Sequence, residues 1–386
     1  LPLIAALWVA CGLPARAPEP APVVAPEAVV AAEPEPVAAP EPPAPVVLVA
    51  GGDVLPHRRV KASAATHGWS DVFAGVAPAL QAADLAFVNL ESPVAPDHDQ
   101  GVRGEVFNAP AALLDGLTEA GVDVVSFANN HAFDQGPDGL VETVTRARAT
   151  GLSLVGAAPD CAGAQAATLH EVRGTRVAFL AATDLLNLDL HAGDHAPCLF
   201  VAGPVCTGDC GPDRDAVHFA LDEARLVRAV RAARAQADVV VLSFHWGDEY
   251  RTTPLPEYPR LAQTLVDAGV DVLLGHHPHV LQPVAELTAA DGRRAVVAYS
   301  LGNLVSDMSS SWRPGAPIGA SRTRDGALLR VTVAAGGVRG VEVLPTYTDN
   351  QPDRVRVVLL SDVDPALQAQ RQAAIAPIIP VEQWAR

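Results

Sequence analysis

The chain has 386 residues, enough for one large domain or two small ones, and 49% of them are apolar, so a substantial core is within reach. Its formal charge is −17, which excludes sequence-independent nucleic-acid binding and adhesion to anionic lipid, since both rely on clustered Lys and Arg. The same excess of carboxylates is compatible with a divalent cation, whose charge offsets local negative charge.

The chain opens Leu1-Pro-Leu-Ile-Ala-Ala-Leu-Trp-Val-Ala-Cys11-Gly12. This apolar run is too short to span a bilayer, which takes about 20 residues. It reads as the apolar part of a secretory signal, with a truncated start because neither an initiator Met nor a basic stretch precedes it. Ala10-Cys11-Gly12 resembles a bacterial lipoprotein processing site with Cys11 as the lipidated residue; a cleaved secretory signal is the alternative. The expectation is an extracytoplasmic, membrane-anchored lipoprotein of a bacterium, or a secreted or periplasmic protein. Leu13–Pro45 is built almost wholly from Pro, Ala, Val and Glu. Such a segment buries too little to order itself and reads as an extended spacer, reaching on the order of 100 Å at about 3.1 Å per residue.

The folded part begins with Val46–Ala50, an apolar strand ending in Gly51-Gly52-Asp53. A helical pattern over Trp69–Ala82, a strand over Asp84–Leu90 and a helix over Ala109–Ala120 follow. The strand Val122–Val125 runs into Ser126-Phe-Ala-Asn-Asn-His-Ala-Phe-Asp-Gln-Gly136, and a helix covers Gly139–Thr150. A short strand at Leu152–Gly156 precedes a hairpin of Thr168–Val172 and Arg176–Ala182. Leu190–Pro212 is loop-like and holds three of the four remaining cysteines, Cys161, Cys198, Cys206 and Cys210. In an exported chain that even number predicts two disulfides, with three possible connectivities; a small zinc site is the rival reading, though His218 is the only His nearby and the spacing is not a zinc pattern. Next come a helix at Asp222–Gln236, a strand at Asp238–Phe244, a helix at Glu257–Ala268 and a strand at Asp271–Leu274. Val280–Leu287 and Arg294–Tyr299 flank the hairpin signal Asp291-Gly292. Ser306–Asp325 reads as a flexible loop, Ala327–Ala334, Gly340–Pro345 and Arg354–Leu359 as closing strands, and Asp364–Ile375 as a helix with a peripheral tail. Strand–helix alternation followed by hairpins predicts an α/β fold with a mixed sheet, or two packed sheets, and helices outside.

Five strand ends carry ligand-type side chains: Asp53, Glu91, Asn130-His131, His245 and His277-Pro278-His279. Open α/β sheets place their sites at such ends. Carboxylate, amide oxygen and imidazole suit a borderline divalent metal such as Mn²⁺, Zn²⁺ or Fe²⁺, and this set is large enough for one ion or a pair.

Six motifs together resemble the capsule biosynthesis CapA proteins, the poly-γ-glutamate capsule branch of the calcineurin-like metallophosphoesterase superfamily. They are Gly52-Asp53 with Arg58, Asn89-Leu90-Glu91, Ala128-Asn-Asn-His-Ala-Phe-Asp-Gln-Gly136, His245-Trp-Gly247 with Glu249-Tyr250, Gly275-His-His-Pro-His-Val-Leu-Gln282, and Tyr299-Ser-Leu-Gly-Asn303 with Asp307. The resemblance runs from about Val46 to Leu344. It implies a four-layer α/β/β/α sandwich of two mixed β-sheets flanked by helices. The chain is thus expected to divide into a signal-like segment at residues 1–12, a linker at 13–45, this domain at 46–362 and a C-terminal helix and tail at 363–386.

Carried over residue by residue, the resemblance makes Asp53 a first-metal carboxylate and Glu91 the bridging carboxylate. Asn130 becomes the second-metal amide, His245 a second-metal imidazole, and His277 and His279 one imidazole for each metal. His276 is an alternative to His277, since the register of the adjacent pair is open. His131 is implied to stabilise or protonate the leaving group, with Arg58 gripping an anionic group. Asp134 either orients His131 or caps the following helix. Leu55 stands where the superfamily has a metal-binding His; His57 is either a substitute or a surface residue. Trp246 and Tyr250 read as packing or pocket wall, Asn303 and Asp307 as supporting residues. The implied function is a metal-dependent hydrolase of phosphoesterase type acting on an anionic polymer or phosphoester, working with capsule-synthesis membrane proteins. A non-catalytic assembly scaffold and a γ-glutamyl hydrolase are the alternatives.

Overall fold

A computed structural model describes residues 44–99, 106–187, 198–202, 217–218 and 221–385. The signal-like start with Cys11, nearly all of the linker, and Cys206 and Cys210 lie outside the described residues.

Apolar β-branched runs form strands and Ala- and Leu-rich runs form helices, in alternation. The first stretch is β1 (Val46–Val54), α1 (Arg58–His67), α2 (Trp69–Phe73), α3 (Ala77–Gln81), β2 (Leu85–Leu90), α4 (Ala112–Glu119), β3 (Val124–Ser126), α5 (Gly136–Ala149) and β4 (Ser153–Val155). The middle stretch is β5 (Ala157–Ala158), α6 (Cys161–Gln165), β6 (Thr168–Val172), β7 (Thr175–Thr183), β8 (Leu185–Leu186), β9 (Cys198–Leu199), β10 (Val217–His218), α7 (Glu223–Arg234), β11 (Val239–His245), α8 (Tyr258–Ala268) and β12 (Val272–His276). The last is β13 (Val284–Thr288), β14 (Arg294–Ala298), β15 (Asn303–Val305), β16 (Asp325–Ala334), β17 (Gly337–Asn350), β18 (Val355–Leu359) and α9 (Pro365–Ile375).

The expected mixed α/β architecture is present. Its two sheets are hydrogen-bonded into one 14-stranded sheet in the order β4-β3-β2-β1-β16-β17-β14-β12-β11-β7-β6, with β13, β15 and β18 attached to β14, β1 and β17. β14 and β17 are joined by the single pair Arg294–Gly337. On either side of that junction the two halves face each other: Phe87 of β2 stacks on Phe179 of β7 at 6.2 Å between ring centroids. The strand period of two does the rest. Val177, Phe179 and Ala181 point into the space between the halves, while Ala178, Leu180 and Ala182 pack with Leu226 and Val230 of α7 and Leu261 and Leu265 of α8. Leu113 and Leu117 of α4 and Leu140 and Val144 of α5 belong to the core on the other side.

Several local features depart from the sequence reading. α1 has no counterpart there, because its buried face is only Val60, Ser63 and Ala64, too small to produce an apolar stripe. The helix expected over Trp69–Ala82 is broken at Ala74–Val76: a Cβ on Gly75 would lie 2.5 Å from the Val357 carbonyl oxygen of β18, and Pro78 restarts the chain inside α3. The 306–325 segment is not loose. It ends in a 3₁₀ turn, Gly319–Arg324, and is gripped by Arg371 of α9. Arg371 is fully buried and forks onto Asp325 at 2.7 and 2.5 Å, so the C-terminal helix, expected at the periphery, is anchored in the core. One disulfide, Cys161–Cys198, ties α6 to β9.

Candidate metal centre

The site forms where the C-terminal ends of β1, β2, β11 and β12 meet. Asp53 sits beside Asn89 and Asn303 in the β-ladder, and His245 beside His276. The chains approach so closely that two positions accept only glycine. A Cβ on Gly52 would lie 2.0 Å from the Gly302 carbonyl oxygen, and one on Gly275 would lie 2.0 Å from that of Tyr299. The turn after β12 is strained: His277 and His279 have φ of 93° and 55°. Such conformations cost about 1–3 kcal/mol each and cluster at functional sites.

The buried carboxylates and imidazoles converge. Asp53 accepts from Asn89 Nδ2 at 2.9 Å, His276 Nδ1 at 3.0 Å and the His277 backbone N–H at 3.2 Å, and lies 3.3 Å from His279 Nδ1. Asn130 Oδ1 is 2.8 Å from His245 Nε2. Glu91 Oε1 is 3.4 Å from the same nitrogen and 3.8 Å from His279 Nε2. Three sets of ligand atoms each fall within 4.8 Å of one another: Glu91, His245 and His277; Asp53, Glu91 and His279; Glu249, His277 and His279. Glu91 is common to the first two, and His277 to the first and third.

Burial drives the Glu91 carboxyl well above the usual carboxylate range, and the charge of Asp53 adds to the push. Burial acts on Asp53 too, but the hydrogen bonds from His276 and His279 outweigh it and hold that group well below the usual range. Burial, reinforced by neighbouring His277, holds His245 neutral, the form in which imidazole binds metal.

The donor set fits a divalent cation. Glu91 Oε1 is buried with no hydrogen-bond partner, an arrangement that is costly unless something completes it. Two ligands on one ion at about 2.1 Å lie about 3.0–3.5 Å apart, the scale of the separations around His245 Nε2. A 2+ charge would also let Asp53 and Glu91 ionise together.

The structure thus brings together Asp53, Glu91, Asn130, His131, Asp134, His245, His277 and His279, while Arg58 stands apart. It is exposed at the start of α1, and its side chain makes no hydrogen bond or ion pair with another described residue. The open register resolves in geometry: His277 joins the ligand groups, whereas His276 braces Asp53. Asp134 contacts His131 rather than capping α5, accepting from His131 Nδ1 at 2.8 Å and from the Phe107 N–H at 2.7 Å. Leu55 is a core residue. His57 is paired with Asp307 at 3.5 Å and lies outside the ligand groups. Trp246 is packed in the core, stacked on Tyr258 and Tyr299, with its Nε1 donating to the Tyr299 carbonyl.

Three residues escaped the sequence reading as individual participants. Asn89 sits under Asp53, Glu91 and His245; its proximity in the motif to Glu91 was the available signal. Glu249 reaches within 4.0 Å of His279 Nε2. Asn187 accepts from Asn130 Nδ2 at 2.8 Å, which turns the Asn130 oxygen toward His245. No motif surrounds Asn187, so only the fold could reveal it. Asn303 likewise fixes His279, accepting from Nδ1 at 3.0 Å while its own Nδ2 donates to the Thr323 carbonyl at 2.9 Å, leaving His279 Nε2 for the cluster.

The family model of the bacterial capsule synthesis protein PGA_cap matches residues 47–308, more than half of the chain. Capsule biosynthesis protein CapA of Bacillus anthracis is 29% identical over 349 residues, covering 89% of this chain and 74% of that protein. PGA biosynthesis protein CapA of Bacillus subtilis strain 168 is 29% identical over 297 residues, covering 76% and 69%. A crystal structure of a hypothetical protein from Thermus thermophilus superposes with a TM-score of 0.45 at 15% identity, covering 78% of this chain and 98% of that one.

Proposed function

The chain belongs to the bacterial capsule synthesis protein PGA_cap family, and from that premise we propose that it is a divalent-metal-dependent hydrolase of phosphoesterase type serving cell-surface polymer synthesis. The observation that carries this reading is Glu91: a buried carboxylate with an orphaned oxygen, shared between two groups of nitrogen and oxygen ligands. A structural carboxylate would have its lone pairs satisfied.

Asn130, His245, His277 and Glu91 would hold one ion, and Asp53, Glu91 and His279 a second. Bound there, a divalent ion supplies an activated water and Lewis-acid stabilisation of developing charge. The chain's own residues do the remainder. Asp134 accepts from His131 Nδ1, which orients the ring; Nε2, 3.3 Å from Asn187 Nδ2, would pass a proton to a leaving oxygen. Phe107 packs on that ring at 4.4 Å and helps keep water from it. We further propose an extracytoplasmic location with a lipid on Cys11; the Cys161–Cys198 disulfide supports an oxidising compartment.

Elemental analysis of the purified protein tests the premise of catalysis, with at least one equivalent of Mn, Zn or Fe expected. Less than half an equivalent overturns the hydrolase reading. On chromogenic phosphodiesters with added Mn²⁺, His131→Ala is expected to lower kcat by about 10²–10⁴-fold. Wild-type rates from His131→Ala or His245→Ala would remove the site. Full rescue of a polymer defect by His245→Ala would replace catalysis with a scaffolding role.

A further inference from the structure

The candidate ligands come from two sides of the molecule. Asp53, Glu91 and Asn130 lie at or just past the ends of β1, β2 and β3, whereas His245, His277 and His279 lie at or just past the ends of β11 and β12. These strands belong to the two halves of the sheet that meet at Arg294–Gly337. The spacing of the ligands therefore depends on what ties one half to the other.

At the outer ends of the sheet order, one short segment, residues 198–202, is bonded to both halves. Toward the first half, β9 pairs with β5 through Ala158–Cys198 and Ala157–Leu199, and the Phe200 N–H donates to the Gly156 carbonyl at 2.8 Å. Toward the second, the Thr183 N–H donates to the Phe200 carbonyl at 3.0 Å, and the Ala202 N–H donates to the Thr183 carbonyl at 2.7 Å. The halves are close here: a Cβ on Gly156 would lie 2.5 Å from that of Ala128, which follows β3, and 2.9 Å from that of Ala181 in β7.

The same bonds run on into the candidate centre. The Thr183 hydroxyl and the Asp184 N–H both donate to the His245 carbonyl, at 3.2 and 3.1 Å. Farther along, the Asn187 N–H donates to the Asn130 carbonyl at 3.3 Å, and its side chain accepts from Asn130 Nδ2 at 2.8 Å. His245 and Asn130 are the pair whose Nε2 and Oδ1 stand 2.8 Å apart at the centre, one from each half. Cys198, the first residue of the segment, is fixed covalently to Cys161 of α6, just past β5. Cys198 is buried and Cys161 half-buried, so a small thiol can approach the bond from the Cys161 side. Without that bond the segment keeps only non-covalent ties to the first half, including hydrogen bonds that contribute about 0.5–1.5 kcal/mol each, and local opening becomes more frequent.

We infer that Cys161–Cys198 is a redox-sensitive clamp on the candidate centre. A dithiol passes two electrons and two protons to the bond, leaving two protein thiols and closing to a disulfide itself; segment 198–202 then loosens, and the two sets of ligands lose their fixed spacing. The inference rests on the proposed function only in taking the cluster as the place where an ion binds. It makes that binding depend on the thiol–disulfide state of the compartment, with the oxidised chain as the competent form.

Two measurements on the full chain test it, each before and after reduction with a dithiol that is removed by gel filtration under nitrogen. In metal-free protein, hydrogen exchange at the Thr183, Phe200 and Ala202 amides should quicken by about 10-fold or more on reduction, with exchange in β16 and β17 unchanged. The Kd for Mn²⁺, read from the electron paramagnetic resonance of the free ion, should rise by about 10-fold or more with the far-ultraviolet circular dichroism unchanged. Cys206→Ser/Cys210→Ser should respond as wild type does, and Cys161→Ser/Cys198→Ser should match the reduced wild type and ignore the dithiol. Should the latter variant fail to fold, the reduced wild-type protein decides alone. Unchanged exchange at the three amides, equal Mn²⁺ affinity in the two states, or a response that persists in Cys161→Ser/Cys198→Ser overturns the clamp. A chain that binds no Mn²⁺ in either state removes the proposed function instead, and the three amides then decide the clamp by themselves.

Discussion

Two buried polar clusters lie a short distance apart in this protein, and they are built on opposite terms. Around Arg371, four N–H donations are matched by Asp325 and Ser321, and the guanidinium also lies over the rings of Trp312 and Tyr347. Around Glu91, a carboxylate oxygen is buried with no hydrogen-bond partner, two carboxylates crowd one another, and the backbone at His277 and His279 is strained. Low dielectric rewards a satisfied network and penalises an incomplete one. The first cluster therefore reads as architecture, fastening α9 to the 306–325 segment. The second reads as a site kept incomplete for something that binds.

The contrast can be broken by substitution. Arg371→Ala strands a buried carboxylate and should lower the unfolding free energy by about 3–5 kcal/mol, read from denaturant midpoints. Unchanged stability would show that the Arg371 cluster holds nothing together.

His57, at the edge of the Glu91 cluster, gives a pH test. Burial lowers its pKa to about 4 from the ordinary 6.5, against the pull of Asp307, with Lys61, His131 and His279 also disfavouring its charge. A base whose folded pKa is depressed binds fewer protons folded than unfolded between those values. Its contribution is thus fully present above pH 6.5 and is lost as pH falls toward 4, by up to about 3 kcal/mol. His57→Gln should flatten the stability profile over that window; an unaltered slope would assign the acid sensitivity elsewhere.

Asn187→Leu removes the acceptor that turns the Asn130 amide and should weaken metal affinity by about 10–100-fold, measured by competition with a chelator. Retained affinity would mean that Asn130 needs no such guide. The smallest effect carries the opposite sign. In protein stripped of metal, Glu91→Gln relieves the conflict with Asp53 and should raise stability by about 0.5–2 kcal/mol while preventing the metal from stabilising the fold. A loss of stability in the metal-free variant would place Glu91 among the structural residues.

Much of this was legible from local pattern. Asp53, Glu91, Asn130-His131 and His245 each follow an apolar strand by a few residues, and such strand ends gather at one edge of an open sheet. Elements whose signal lies outside their own residues were not legible. Within Trp69–Ala82, Gly75 and Pro78 were local signals of a break, but only the fold shows Gly75 passing under β18, and Ala- and Ser-rich α1 carries almost no apolar stripe.

The sequence alone determined the order of strands and helices and the residue types at the strand ends, because those depend on periodicity along a single segment. The tertiary structure decided which neighbour faces inward. It set His277 rather than His276 among the candidate ligand groups, turned Asp134 onto His131, left Arg58 in solvent, and brought Asn187 to Asn130 across 57 positions of chain. Those outcomes depend on how two halves of a sheet close over each other, at distances where a single turn of backbone reverses the direction of a side chain.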